Sequence, residues 1–220
     1  MAFFGGSFDP PHLGHIAVAR AAQQALALDQ VLFAPVGLQP LKPSGSSASF
    51  QHRAAMTQLA IAHHPGFELS LLDAPKTHAS SAPNYTVDTL ARLRHTLPPG
   101  AQLFLLLGAD SFRTFHQWRH AAEIPFLAGL VVASRPGEDL IHPASMLPSK
   151  ITAAPVPNEP DRYSLTNPAG DHAELIVLPN LNYDISATHL RNEIQSESPT
   201  AQPMLDPAVL AYIHQHHLYA

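Results

Sequence analysis

Residues 102–110 read QLFLLLGAD, a run with no polar side chain in its centre that ends on glycine. A strand of that kind has no face for water. It must be covered on both sides, the condition that parallel sheets with helices above and below fulfil. Runs of the same character recur as AFF at 2–4, QVLFAP at 30–35, LAGLVVAS at 127–134 and ELIVL at 174–178, with a weakly alternating FELSLL at 67–72. Between them the apolar spacing turns helical, over about 13–28, 50–64 and 84–97, again from 186, and in a last helix opened by Asp206-Pro207. Ser49 stands where the second helix needs a cap, and proline at a first helical turn costs no hydrogen bond. Strand and helix in turn predict right-handed βαβ units: an α/β, Rossmann-like, open and mostly parallel sheet with helices on both faces. Ligands of such sheets bind outside the carboxyl ends of the strands, where the strand order switches direction. The first strand, if only AFF, falls below the usual length of about five or six residues. Either the sheet tolerates it or the natural start lies upstream.

With 220 residues, one domain over 1–220 is expected, carrying a proline-rich irregular excursion at about 139–170 and a C-terminal helical part at about 186–220. The excursion is read from proline at 136, 143, 148, 155, 157, 160 and 168. The absence of cysteine excludes disulfide scaffolds, thiolate zinc sites and cysteine nucleophiles. Net charge is −5, with three lysines and nine dispersed arginines, so there is no basic stripe for nucleic acid, and no nucleic-acid partner is expected. The apolar runs stop far short of the roughly 18 residues that span a bilayer, and MAFFGGSFDPPHLGH has neither a basic nor an apolar leader segment. No membrane partner and a cytoplasmic setting are expected. Oligomeric state is not readable.

The densest chemical signal is GGSFDPPHLGH, residues 5–15. Gly5 and Gly6 let the backbone turn sharply and pass close to a ligand. His12 and His15, three apart at the opening of a helix, can face the same side, beside unpaired N–H groups that suit a phosphate. Two imidazole donors there would match charge developing on a phosphoryl group. The same letters also permit a plain glycine turn with two surface histidines, or a metal pair completed by Asp9. A second constellation, ISATHLR at 185–191, sets Ser186 as a helix cap with Arg191 about one turn inside; alone it reads as an ordinary capped amphipathic helix. A third, GADSFRTFHQW at 108–118, leaves the most apolar strand, and its Trp118 suits a core position or a face for an aromatic ligand. His63-His64 fall at a helix end, where imidazolium suits the dipole, and His214, His216 and His217 fit a solvated helix end better than a metal site.

GGSFDPPHLGH resembles the signature of the HIGH-motif nucleotidylyltransferases, which join a nucleotide to a phosphate and release pyrophosphate. ISATHLR is similar to the ISxTxxR motif with which that superfamily clamps ATP phosphates from the opposite side. No GxxxxGK[ST] loop is present, which excludes ATP held in the P-loop manner. GADSFRTFHQW, SAPNYTVDTL (81–90), SRPG (134–137) and DPAVLAYIHQHHLY (206–219) together narrow the resemblance to the bacterial nicotinate-nucleotide adenylyltransferases, over nearly the whole chain except about 139–170.

The resemblance implies catalytic roles for His12, His15 and Arg191. It implies ATP contacts at Gly5, Gly6, Ser7, Phe8, Lys42, Gly108, Asp110, Arg135, Ile185, Ser186 and Thr188. For nicotinate mononucleotide it implies Trp118 stacked on the ring, with the backbone around Asn84, Tyr85 and Thr86 and that of Arg119 receiving the carboxylate. A helix start prefers a carboxylate over a neutral amide, so the acid form of the substrate is favoured. Magnesium would come with ATP, and no resident metal site is expected. The expected partners are ATP and nicotinate mononucleotide. In PVGLQPLKP the position that usually carries histidine is Leu41, with Lys42 retained, and Ser7 stands for the commoner threonine. Rival readings are adenylylation of the amide mononucleotide or of phosphopantetheine, a non-catalytic nucleotide sensor on the same fold, and an RNA-binding relative such as a synthetase fragment. The last lacks a basic surface.

Overall fold

The structure is a computed structural model and describes residues 1–41, 45–75, 83–134, 143–178, 181, 185–196 and 203–220. One eight-stranded sheet runs through it. Its strands are β1 (Ala2–Gly6), β2 (Val31–Pro35), β3 (Phe67–Leu69), β4 (Phe104–Gly108), β5 (Gly129–Ala133), β6 (Thr152–Val156), β7 (Glu159–Thr166) and β8 (His172–Leu178), in the order β3-β2-β1-β4-β5-β8-β7-β6. The six strands from β3 to β8 in that order are parallel, as the apolar runs required. From β1 the chain steps outward to β2 and β3, then crosses to the other side of β1 for β4. The switch point therefore lies between the carboxyl ends of β1 and β4, where the GGSFDPPHLGH and GAD segments begin. The first strand reaches five residues because Gly5 and Gly6 continue it, paired with Ala34 and Pro35 of β2.

Helices α1 (Leu13–Ala25), α2 (Phe50–Ile61), α6 (Ala187–Gln195) and α7 (Pro207–Gln215) cover one face; α3 (Thr86–Thr96), α4 (Ala109–Arg113) and α5 (Ile124–Leu127) cover the other. Alternate strand residues feed the two cores. Phe4 and Leu106 pack with Ile16, Met56, Leu190 and Val209, whereas Phe3, Leu105 and Leu107 pack with Leu90, Phe112 and Ile124. That division is what a two-sided apolar strand demands. Ser49 caps α2 by accepting from the His52 amide, and Asp206 caps α7 by accepting from that of Ala208.

The stretch expected to be an irregular excursion instead holds the β6–β7 hairpin, which joins β8 antiparallel and extends the sheet. Proline density misled there. Pro155 lies on the edge strand at a break in register and Pro160 lies opposite that break, where a missing N–H costs no regular ladder bond. His64 departs from the expected imidazolium. Its Nδ1 is 2.9 Å from the Arg20 guanidinium, and burial together with Arg20 holds its pKa below the ordinary value, so the ring is a neutral acceptor.

Candidate active site

The segment leaving β1 turns through Phe8, a non-glycine residue at φ 48°, whose ring drops into the core against Phe4, Phe33 and His15. Phe8 is 1% exposed, so any contact it makes with a nucleotide falls to its backbone. His12 occupies the N-cap of α1 and His15 the third helical position, and their rings stack with centroids 3.7 Å apart and planes 29° from parallel. The His12 amide donates to His15 Nδ1 at 3.2 Å. Accepting at Nδ1 fixes the neutral His15 tautomer with its proton on Nε2, the donor position of the ring.

Gly14 makes the stack possible. A Cβ built there would lie 3.0 Å from His12 Nδ1 and 3.1 Å from its Cε1. Gly14→Ala is expected to push the His12 ring a few tenths of an ångström off the stack, lowering kcat about tenfold or more, because small misplacements at a reacting centre are costly. Circular dichroism of the variant should be that of the parent, since alanine favours a helix over glycine. Parental turnover would show that the ring tolerates the shift.

Asp9 is the hub of the surrounding loops and is 4% exposed. Its Oδ2 accepts from the Ser47 amide at 2.6 Å, and its Oδ1 from the Ala48 amide at 3.1 Å and the Tyr219 hydroxyl at 2.7 Å. Both carboxylate oxygens are thus held by hydrogen bonds, and among the described residues Asp9 forms no group of three or more histidine, aspartate or glutamate side chains able to hold a metal ion. Arg191 of α6 donates through Nη1 to the Asp9 carbonyl at 2.7 Å and through Nη2 to Thr188 Oγ1 at 3.0 Å. The two motifs, 182 residues apart, therefore meet at Asp9. Ser186 holds the N-cap position of α6, but its hydroxyl makes no capping bond. Ile185 is buried, 3.7 Å from where a Gly14 Cβ would stand.

Beneath this loop lies Arg53, 1% exposed, whose guanidinium donates to the carbonyls of Ala48 (3.2 Å), Ser7 (2.5 Å) and Val36 (2.7 Å). Burial pulls its pKa down, and Asp9 and Tyr219 pull it back up. Arg53 went unread in the sequence although it shares the buried stripe of α2 with Met56, Thr57, Ala60 and Ile61. A charged residue inside an apolar helical period is the signal that could have found it.

At the end of β4, Gly108 caps α4 and Asp110 pairs with Arg113 at 2.7 Å, both side chains largely in solvent. Trp118 packs its ring on Phe115, 5.5 Å between centroids, and keeps partial exposure. The Arg119 guanidinium lies 4.6 Å over the Tyr85 ring, bringing the segment after α4 onto the start of α3. Tyr85 is the N-cap of α3 and offers no side-chain cap. Asn84 is spent on structure: its amide donates to the Leu38 carbonyl and its Oδ1 accepts from the Leu38 amide. Behind this wall Asp73 is buried and accepts from Thr89 Oγ1 at 2.5 Å. Burial raises its pKa, opposed by Thr89 and Arg92. Leu41 is 51% exposed. Lys42 and Arg135, both expected as ATP contacts, lie outside the described residues.

The cytidylyltransferase-like family model matches residues 3–193. A probable nicotinate-nucleotide adenylyltransferase of Trichlorobacter lovleyi is 35% identical over 100% of this chain and 98% of its own length. Its counterpart in Chromobacterium violaceum is 37% identical over 98% and 96%. Among solved structures, the nicotinic acid mononucleotide adenylyltransferase of Plasmodium falciparum complexed with NaAD shares the fold at TM-score 0.70 and 17% identity, over 99% of this chain and 96% of that one. The family match spans both motifs that meet at Asp9, and the curated relatives run end to end with the chain, which therefore belongs to the cytidylyltransferase-like family, among its nicotinate-nucleotide adenylyltransferases.

Proposed function

We propose that the chain adenylylates nicotinate mononucleotide. A phosphate oxygen of the mononucleotide attacks the α-phosphorus of ATP in line, the bond to the β-phosphate bridging oxygen breaks, and deamido-NAD and pyrophosphate leave. The observation that carries this reading is the meeting of the His12–His15 stack and Arg191 around Asp9 at the switch point of the sheet. His15 Nε2–H supplies a neutral donor on the phosphate side, and the Arg191 guanidinium supplies positive charge and donors. His12 braces His15 through ring and amide. Catalysis of this kind is positioning plus charge stabilisation, and the mechanism calls for no covalent enzyme intermediate.

Magnesium fits as a passenger on ATP. Asp9 is committed to amides and a phenol, and the described residues contain no group of three or more histidine, aspartate or glutamate side chains able to hold an ion. Bound to the phosphates, the ion would neutralise their charge. No described helix is long and apolar enough to cross a membrane, the substrates are soluble nucleotides, and the proposed setting is the cytoplasm.

Selectivity for the acid is assigned to the start of α3. Its first N–H groups have no side-chain cap, and the guanidinium of Arg119 stands over Tyr85, so a carboxylate gains both dipole and charge there. An amide gains neither. With magnesium-ATP, pyrophosphate release is expected to favour the acid mononucleotide over the amide by about ten- to a hundredfold in kcat/KM, the worth of one charge-assisted hydrogen bond. Phosphopantetheine should be inert. Equal use of acid and amide would keep the reaction and remove this account of selectivity. Binding of ATP with no turnover of any acceptor would favour a sensor.

A further inference from the structure

We propose that the Tyr219 hydroxyl is a positioning group for ATP, acting through Asp9 to hold residues 5–9, residues 45–48 and Arg191 in register. The inference rests on the adenylyl-transfer reading for its kinetic part only.

Four groups from three separated parts of the chain converge on Asp9: the amides of Ser47 and Ala48, the Arg191 guanidinium, and the Tyr219 phenol, which is 210 residues away in sequence. The first three belong to the motif loops or their neighbour. The fourth arrives from beyond α7. There the helix closes with His217 at φ 50°, and the Leu218 amide bonds back to the Ile213 carbonyl. That closure needs one left-handed residue. Tyr219 is a second, at φ 65°, in a region that non-glycine residues enter at a cost. Capping of α7 does not require it, and in this conformation the phenol reaches Asp9. Tyr219 also packs against the core on that face of the sheet. Burial first, and then the bond to Asp9, hold its pKa above the ordinary phenol value, so it remains a donor wherever the enzyme works.

Asp9 in turn connects the phenol to the nucleotide side. Its oxygens set the amides of Ser47 and Ala48, while its carbonyl fixes the rotamer of Arg191. Without the phenol, the Asp9 carboxylate can rotate, which loosens the Ser47 and Ala48 amides directly and Arg191 only through the Asp9 backbone. Nothing in the contact reaches the acceptor side at Tyr85 or Trp118.

Tyr219→Phe keeps the ring and its packing and removes only the hydroxyl. The expected result is a KM for magnesium-ATP raised about three- to tenfold, the worth of one buried hydrogen bond, with KM for nicotinate mononucleotide unchanged. Amide exchange at Ser47 and Ala48 should accelerate by a similar factor. Tyr212→Phe is the control: it removes the contact of Tyr212 on α7 with His52 on α2 and does not touch Asp9, so neither readout should move. Parental exchange at Ser47 and Ala48 in Tyr219→Phe would overturn the proposal. So would an equal rise in both KM values accompanied by general destabilisation. Amide exchange needs no turnover, so a parent protein that releases no pyrophosphate would defeat the adenylyl-transfer reading and leave the Tyr219 test intact.

Discussion

Replacing His15 with alanine is expected to lower turnover about a thousandfold while the protein stays folded. The ring is partly buried, stacked on His12 and edge-on to Phe8 at 5.0 Å, so its loss also costs stability. That cost is about 1–2 kcal/mol, small beside the roughly 5–15 kcal/mol of a typical domain. The kinetic loss is larger because two effects coincide. A donor aimed at developing charge is worth about a hundred- to a thousandfold by itself. Removing His15 also frees the His12 amide and half of the stack, so the second imidazole loses its fixed orientation. His15→Asn separates the two effects. Its side-chain oxygen can accept from the His12 amide as Nδ1 does, but it has no donor at the distance of Nε2. If the catalytic loss comes from the missing donor, asparagine will be nearly as slow as alanine. Recovery of most of the parental rate by asparagine would mean that His15 serves as a cap and that the phosphate is held elsewhere. The assay is pyrophosphate release with both substrates saturating, beside a thermal melt of each variant.

The parallel sheet and its switch point were legible because strands such as 102–110 carry their burial in their own letters. The β6–β7 hairpin was not. Among its residues only Leu165 is fully buried, so no apolar period marks it, and its prolines argue for a loop unless the edge position and the break in register are known. The motif histidines and Arg191 could be named from local spacing. That Arg191 reaches the carbonyl of Asp9 could not, because the contact spans 182 residues and is made to backbone, which has no letter. For the same reason the sequence leaves Asp9 open as a metal ligand: a carboxylate beside two histidines has that chemistry, and the amides of Ser47 and Ala48 that hold it are backbone groups without a letter. Asn84 shows the converse. Its place beside Tyr85 pointed to substrate, yet it ties the start of α3 to Leu38 and so shapes the pocket wall from behind.

Arg53→Met is expected to cost about 3–5 kcal/mol of stability, the penalty for removing one member of a buried charged group. The guanidinium donates to three carbonyls on three segments: Ser7 after β1, Val36 after β2, and Ala48 before α2. Methionine fills nearly the same volume, so little of the loss comes from a cavity. It comes from three buried acceptors stripped of partners and from the Asp9 carboxylate, which loses the cation whose field it feels. For a chain of this size the melting midpoint should fall by roughly 10–15 °C. Arg53→Lys should recover only part of this, since one ammonium cannot present a planar fork to three separated carbonyls. Asp9→Asn offers the decisive combination. Alone it loosens the loop, but in the Arg53→Met background it removes the stranded charge. The double variant is therefore expected to be more stable than the sum of the two single losses, with a coupling of about 1–3 kcal/mol in the range measured for contacting groups. Strict additivity in urea denaturation would mean that Arg53 and Asp9 act independently, each through its own backbone partners. Parental stability of Arg53→Met would remove the guanidinium from the forces that hold the motif loop.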